Sequence, residues 1–302
     1  MRNLIGEARC PASCGEIVQG MINGKNFLIT CPVALYTTVQ IKLLERQEDG
    51  FVANQKKVPK EQRKTWYAVR KLLDFWGFDK ADFSLRIISQ IPVGKGLSSS
   101  TADIVAACFA AAKAVNKDIS PDLVADIALS IEPSDGVMYK GCVIFDHLRG
   151  TWRESLGQLP PMNVYIIVPE EEVDTITFNS RKDLEELNRK KEPAVEEALY
   201  LVRQAFAKKN FRLLGEAMVK SAVAHQEILH KPFLEDAIAL SKKCGAFGLN
   251  IAHSGSAVGI FFEKNFIPDK NFFEGLRTIM KHYGGEYRII RTEIENIGPQ
   301  VL

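Results

Sequence analysis

A strand that runs directly into Pro92-Val93-Gly94-Lys95-Gly96-Leu97-Ser98-Ser99-Ser100, and from there into a helix of small residues, constrains this chain more than any other feature. Phe83, Leu85 and Ile87 alternate with Ser84, Arg86 and Ile88, the period-two pattern of a half-buried strand. Thr101 to Val115 is dominated by small and apolar residues, which suits a helix lying close against a sheet. Between them, Gly94 and Gly96 let backbone N–H groups approach a ligand with no Cβ in the way, and the helix start adds unsatisfied donors and partial positive charge. Phosphate oxygens are the natural guest of such a turn. Ser98 to Ser100 can equally be read as helix caps after a glycine turn, and the spacing alone leaves both readings open.

The familiar nucleotide loops are excluded. Lys95 and Gly96 are not arranged as G-x-x-x-x-G-K-[ST], and the third glycine of G-x-G-x-x-G is missing. Asp74-Phe75-Trp76-Gly77 has no H-R-D partner, so it is not a protein-kinase metal motif.

Elsewhere the chain alternates strands and helices. Ile17 to Ile22 and Phe27 to Thr30 flank Asn23-Gly24, a dipeptide that tolerates the positive φ of a type I′ hairpin turn, and Val39, Ile41 and Leu43 mark a further strand. Trp66, Val69, Leu73 and Trp76 fall at helical spacing ahead of Gly77. Ser120 and Pro121 open another helix. Strands are expected at Cys142 to Phe145 and Val164 to Val168, then a helical middle from Arg181 to His230 that Pro193 must kink or break. The charge run Arg181 to Glu197 reads as a solvated helix face. The last third offers helix Phe233 to Cys244, strands Gly248 to Ala252 and Val258 to Glu263, helix Asn271 to His282 and strand Tyr287 to Thr292. A second α+β unit is therefore expected, dividing the chain into 1–160 and 161–302.

Charge and cysteine usage narrow the class. The 39 Lys+Arg nearly cancel the 37 Asp+Glu, so no strong field is available for nucleic acid or an anionic membrane. The first residues lack the uninterrupted apolar core of a secretion signal, and no apolar run approaches bilayer length. The 6 cysteines contain no C-x-x-C pair, which argues against a zinc site or disulfide framework and fits reduced thiols in a cytoplasm. The partner expected is a small molecule, with oligomeric state left open.

The loop resembles the second motif of the GHMP kinases, the superfamily of galactokinase, homoserine kinase, mevalonate kinase and phosphomevalonate kinase. Pro92, Gly94, Gly96, Leu97, Ser98, Ser99, Ser100 and Ala102 match, while Thr101 stands where relatives have something smaller. Ala8-Arg9-Cys10-Pro11-Ala12-Ser13-Cys14-Gly15-Glu16 resembles the first family motif, which lines the substrate pocket, and Ala252-His253-Ser254-Gly255-Ser256-Ala257-Val258-Gly259 the third. The implied fold is α+β, an N-terminal domain like ribosomal protein S5 domain 2 followed by a ferredoxin-like C-terminal domain. More narrowly, Cys10 to Glu16, Ile131-Glu132-Pro133-Ser134-Asp135, Phe145-Asp146-His147 and Ala252 to Gly255 resemble the L-threonine kinases of cobalamin biosynthesis.

What the resemblance implies is an ATP site on Pro92, Gly94, Lys95, Gly96, Leu97, Ser98, Ser99, Ser100, Thr101 and Ala102, with Mg²⁺ on Ser100 and Glu132. Asp135 becomes the candidate base, and Ser13, Glu16, His253, Ser254 and Gly255 the candidate contacts of the acceptor. Glu132 and Asp135 can also be helix-end and turn residues, and Asp135 can orient a hydroxyl without taking its proton. An amino-acid acceptor needs both its charges paired on desolvation. Glu16 suits the ammonium; for the carboxylate, Lys25 and Arg149 are candidates that are more often surface charges. The competing readings are a kinase for another small alcohol (homoserine, mevalonate or a sugar) and a non-catalytic nucleotide-binding protein on the same fold.

Overall fold

The computed structural model describes residues 4–44, 58–170, 177, 178 and 180–302. Strands β1 (Ile5–Ile22) and β2 (Lys25–Leu44) form one long hairpin, turned by Asn23 at φ 50° and Gly24 at φ 73°, the paired positive values expected of that dipeptide. Helix α1 (Arg63–Phe75) precedes β3 (Asp82–Ser89), which leads through the glycine loop into α2 (Ser99–Ala114). Helix α3 (Pro121–Leu129) starts where the Ser120 hydroxyl accepts the Leu123 N–H, a true N-cap. Then come β4 (Cys142–Phe145), β5 (Arg153–Gly157) and β6 (Met162–Pro169). Helices α4 (Leu184–Lys208), α5 (Arg212–Ala224) and α6 (Leu234–Lys243) lead to β7 (Gly248–Ile251) and β8 (Val258–Glu263). Helix α7 (Lys270–His282), β9 (Tyr287–Glu293) and β10 (Gln300–Val301) complete the described elements.

All the strands join one sheet, in the order β5-β4-β2-β1-β7-β8-β6-β9, with β3 also paired to β2 and β10 to β1. The ladder between β1 and β7 consists of the single pair Glu16 and Ile251, which places Glu16 in the seam between the N-terminal and C-terminal strands. Helix α2 packs on β1 and β2, and its buried face is mostly alanine, which permits the close approach its composition suggested. Strand β6 is buried along its whole length. Its Val164, Ile166 and Val168 enter the larger core, whereas Tyr165 and Ile167 join Leu249, Ile260, Phe262, Phe272 and Leu276 in a second one. A strand covered on both faces reads as a continuous apolar run, and the Val164 to Val168 run is that signal.

Two expectations need correction. The chain is not broken at Pro193: α4 runs through it, and the helix ends at Lys209, which takes φ 52°. Pro193 and Arg189 are both exposed residues of α4, away from its buried stripe. The charge run is only partly a solvated face. Asn188 and Lys191 lie on the buried stripe of α4 with Val195, Ala198, Val202 and Ala205, at three- and four-residue spacing. Strand β5 escaped notice because it is a polar edge strand, Arg-Glu-Ser-Leu-Gly, with one large apolar side chain.

Candidate active site

The glycine loop bends through three left-handed residues, Gly94 at φ 71°, Gly96 at φ 74° and Ser98 at φ 62°. Ser98 holds the N-cap position of α2, yet no side chain there accepts a hydrogen bond from the helix. The cap reading of the serines therefore does not describe Ser98, and the first N–H groups of α2 keep the donor capacity of a helix start.

Backbone contacts weld the three motifs together. The Ser13 N–H donates to the Leu97 carbonyl at 3.3 Å, and the Ala257 N–H donates to the Lys95 carbonyl at 3.1 Å. A Cβ on Gly255 would lie 2.3 Å from Gly96 N and from the Lys95 carbonyl, so the third motif can approach the loop this closely only as glycine. Pro92, Leu97, Thr101 and Ala102 are buried beneath the loop. The Lys95 ammonium donates to the Glu170 carbonyl at 2.6 Å, at the end of β6. Ser13 is fully buried, its hydroxyl donating to the Gly15 carbonyl at 3.0 Å.

Carboxylates gather on one side of the helix start. Ser100 Oγ donates to Glu132 Oε1, and Lys64 of α1 forms an ion pair with Glu132 Oε2. Asp135 sits three residues on, in a turn pinned by Ser134 N–H to the His147 carbonyl at 3.0 Å and by Gly136 N–H to Thr30 Oγ1 at 3.1 Å. Burial raises the half-buried Asp135 carboxyl; the neighbouring Ser98 hydroxyl opposes the rise and the charge of Glu132 adds to it. Glu16 is 3% exposed, and its Oε2 has no hydrogen-bond partner among the described residues. Burial holds its carboxyl well above the usual range, with the charge of Asp135 adding to the effect. Asp103 of α2 accepts from Thr37 Oγ1 at 2.6 Å and is pushed up to about 6, chiefly by burial, with Glu132 contributing.

Three residues along β1 from Glu16, Gln19 joins a basic and aromatic cluster. His253 Nδ1 is 2.8 Å from Gln19 Oε1, and His225 Nε2 is 2.9 Å from the His253 carbonyl. His147 packs edge-on against His253, ring centroids 5.0 Å apart. Lys231 Nζ donates to the Gly255 carbonyl at 3.0 Å, and Ser254 is half-buried beside it. Lys25 is exposed at the hairpin turn and Arg149 is exposed on the loop after β4.

Sequence reasoning assigned no role to Lys64, Asp103, Gln19, Lys191, His225 or Lys231, which the fold brings to this region. Asp103 did leave a signal, as the one charged residue in the apolar stretch from 101 to 112. Gln19 and His225 left none, since their neighbours come from distant strands and helices.

Residues 63–141 match the GHMP kinases N terminal domain, and residues 202–270 match the GHMP kinases C terminal family. An L-threonine kinase of Citrobacter freundii is 31% identical over 261 residues, covering 85% of this chain and 86% of that protein. An L-threonine kinase of Salmonella typhimurium is 30% identical over 263 residues, covering 86% of this chain and 84% of its own. Among solved structures, a homoserine kinase from Cytophaga hutchinsonii superposes with a TM-score of 0.69 over 100% of this chain and 98% of that one, at 16% identity, a likeness of fold. The loop that first drew attention thus sits in the family's own framework, and the chain belongs to the GHMP kinases, ATP-dependent enzymes that phosphorylate a hydroxyl group.

Proposed function

We propose that this enzyme transfers the γ-phosphoryl group of ATP to the hydroxyl of L-threonine, giving ADP and O-phospho-L-threonine for cobalamin biosynthesis. The observation that carries the reading is Glu16, a buried carboxylate with an unpartnered oxygen beside Asp135. A buried unpaired carboxylate is costly, and an ammonium group is the partner that removes the cost. An acceptor with an ammonium near its reacting hydroxyl is an amino alcohol or hydroxy amino acid, and the named relatives are L-threonine kinases.

In this reading the loop from Pro92 to Ala102 holds the triphosphate through backbone N–H groups and the start of α2, and Asp135 accepts or orients the hydroxyl proton. The raised Asp135 carboxyl makes it a better proton acceptor near neutral pH than an unperturbed aspartate. Ser100 and Glu132 offer adjacent hard oxygen donors, the donor set Mg²⁺ prefers, and Lys64 balances Glu132. When bound there, Mg²⁺ supplies charge neutralisation on the phosphates. Residues 1–160 form the ATP-binding half and 161–302 the half that brings the third motif, in keeping with the family matches on either side of 160. The free cysteines fit a reducing cytoplasm.

Phosphorus NMR of the product mixture with threonine, serine, homoserine and mevalonate offered separately tests the substrate. Threonine gives a phosphomonoester signal and serine a weaker one, because the missing methyl is worth only about 1–3 kcal/mol. A signal with homoserine or mevalonate and none with threonine would sink the threonine reading. Ser100→Ala removes one oxygen donor while leaving the backbone donors of the loop. The Mg²⁺ concentration for half-maximal rate rises about 10- to 100-fold, in proportion to one contact with a charged group, and ATP binding changes little. An unaltered Mg²⁺ titration would move the metal away from Ser100.

A further inference from the structure

Phosphoryl transfer leaves one part of the site without a task. Helix α4 turns Lys191 inward, 7% exposed, where its Nζ donates to the Gln19 carbonyl at 3.1 Å and lies 3.0 Å from His225 Nδ1. Among the described residues no carboxylate hydrogen-bonds to or ion-pairs with Lys191, Lys231, His147, His225 or His253; the recorded partners of the lysines are carbonyls and an imidazole. His147 is 6% exposed, and its Nδ1 has no hydrogen-bond partner at all among the described residues.

Burial bears on each of these groups. It lowers Lys191 to about 7 and Lys231 to about 8, and it drops His147 to about 4, the nearby Asp146 raising it and Lys191 lowering it further. Cations buried without a counter-charge lose their protons, and an anion placed among them restores the charged forms.

The cluster is tied to the segments that carry Asp135 and Glu16. The His147 carbonyl holds Ser134, next to Asp135. Gln19 Nε2 reaches the carbonyl of Ile251, the residue paired with Glu16, at 3.3 Å. Glu16, on whose carboxyl the charge of Asp135 acts, and His147, whose carbonyl holds the residue before Asp135, each keep a buried polar atom without a partner among the described residues, an acceptor oxygen on one and a ring nitrogen on the other.

We propose that the pocket at His147, with Lys191 as the positive charge behind it, receives the carboxylate of the acceptor, so that the enzyme reads both charges of an α-amino acid and discriminates against uncharged alcohols and sugars. This rests on the threonine reading and extends it. His147 contacts the carboxylate, and Lys191 acts as a positioning charge through His225 and the Gln19 carbonyl.

The test compares L-threonine with L-threoninol, which keeps the ammonium and the reacting hydroxyl and lacks the carboxylate. In the unmodified enzyme threonine has the lower KM by about 10- to 100-fold, the range for a hydrogen bond to a charged group. Lys191→Met keeps the unbranched shape without the charge, and His147→Gln keeps a donor of different reach. Both raise the threonine KM toward that of threoninol and leave the KM values for threoninol and ATP in place. Lys191→Met also removes the hydrogen bond to the Gln19 carbonyl, so the unchanged KM values for threoninol and ATP are what separate the effect from misfolding. Threonine turnover with an unchanged threonine-to-threoninol ratio in both variants overturns the carboxylate pocket alone. No phosphorylation of threonine by the unmodified enzyme overturns the threonine reading, and the carboxylate pocket falls with it.

Discussion

Asp135→Asn lowers kcat by about 10²- to 10⁴-fold, the usual worth of a positioned general base, and leaves the KM for ATP nearly unchanged. The turn that carries Asp135 is held by main-chain hydrogen bonds from Ser134 and Gly136, neither of which uses the Asp135 side chain. Asparagine therefore keeps the shape and removes only the basic oxygen. The pH profile gives a second readout. A base works in its ionised form, so the rate falls as pH drops through the Asp135 pKa. Burial raises that value, which places the acid limb of kcat/KM above the ~4 of an unperturbed aspartate. In Asp135→Asn this limb disappears. A loss of less than about tenfold would make metal and loop positioning the main contributions, with Asp135 orienting the hydroxyl.

Gly255→Ala is as damaging from a position that carries no chemistry. The added methyl would lie 2.3 Å from the Lys95 carbonyl group and from Gly96 N, which are backbone atoms with no freedom to swing aside. Either the glycine loop or the third motif moves, and the hydrogen bond from Ala257 N–H to the Lys95 carbonyl is strained or lost. Misplacing a phosphate-holding loop by about 1 Å costs on the order of 10²-fold in kcat/KM, and overpacking at such a contact costs about 1–3 kcal/mol of stability. Turnover and thermal melting of the variant check both. Gly285→Ala serves as the control, since its Cβ would meet only Met280 Cε at 3.7 Å. If Gly255→Ala behaves like the control, the loop contact is not what positions the nucleotide.

The features legible in the sequence were those a few neighbouring residues decide. Asn23-Gly24 announced its turn because few side chains tolerate two positive φ values in succession, and Ser120-Pro121 announced a helix start through local capping. The pairing of Ser100 with Glu132 was accessible through the family's motif order, whereas the ion pair of Lys64 with Glu132 joins residues 68 apart with no pattern between them. Lys191 shows the opposite failure. Its charge was absorbed into a run of charged neighbours, although its spacing from Asn188 and Val195 puts it on the buried stripe of α4. Reading that run by helical period would have separated Lys191 from the exposed Glu185, Glu186, Arg189 and Lys190. Pro193 misled because a proline removes one hydrogen bond of a helix, and the 25 residues of α4 continue past it with Pro193 on the exposed side.

The way β1 is completed bears on how the enzyme comes into being on the ribosome. Along the side away from β2, this first strand is paired by β10 at Ala8 and Arg9 and by β7 at Glu16, both of them made after residue 247. Until those strands are synthesised, an early edge with free N–H and carbonyl groups waits for partners, the kind of edge that recruits other chains. The glycine loop waits too, because Gly255 and Ala257 pack and hydrogen-bond against it from the same late segment. Protection of the nascent strand and seating of the glycine loop are thus one late event, and a chain halted short of it holds the loop without the wall that seats it.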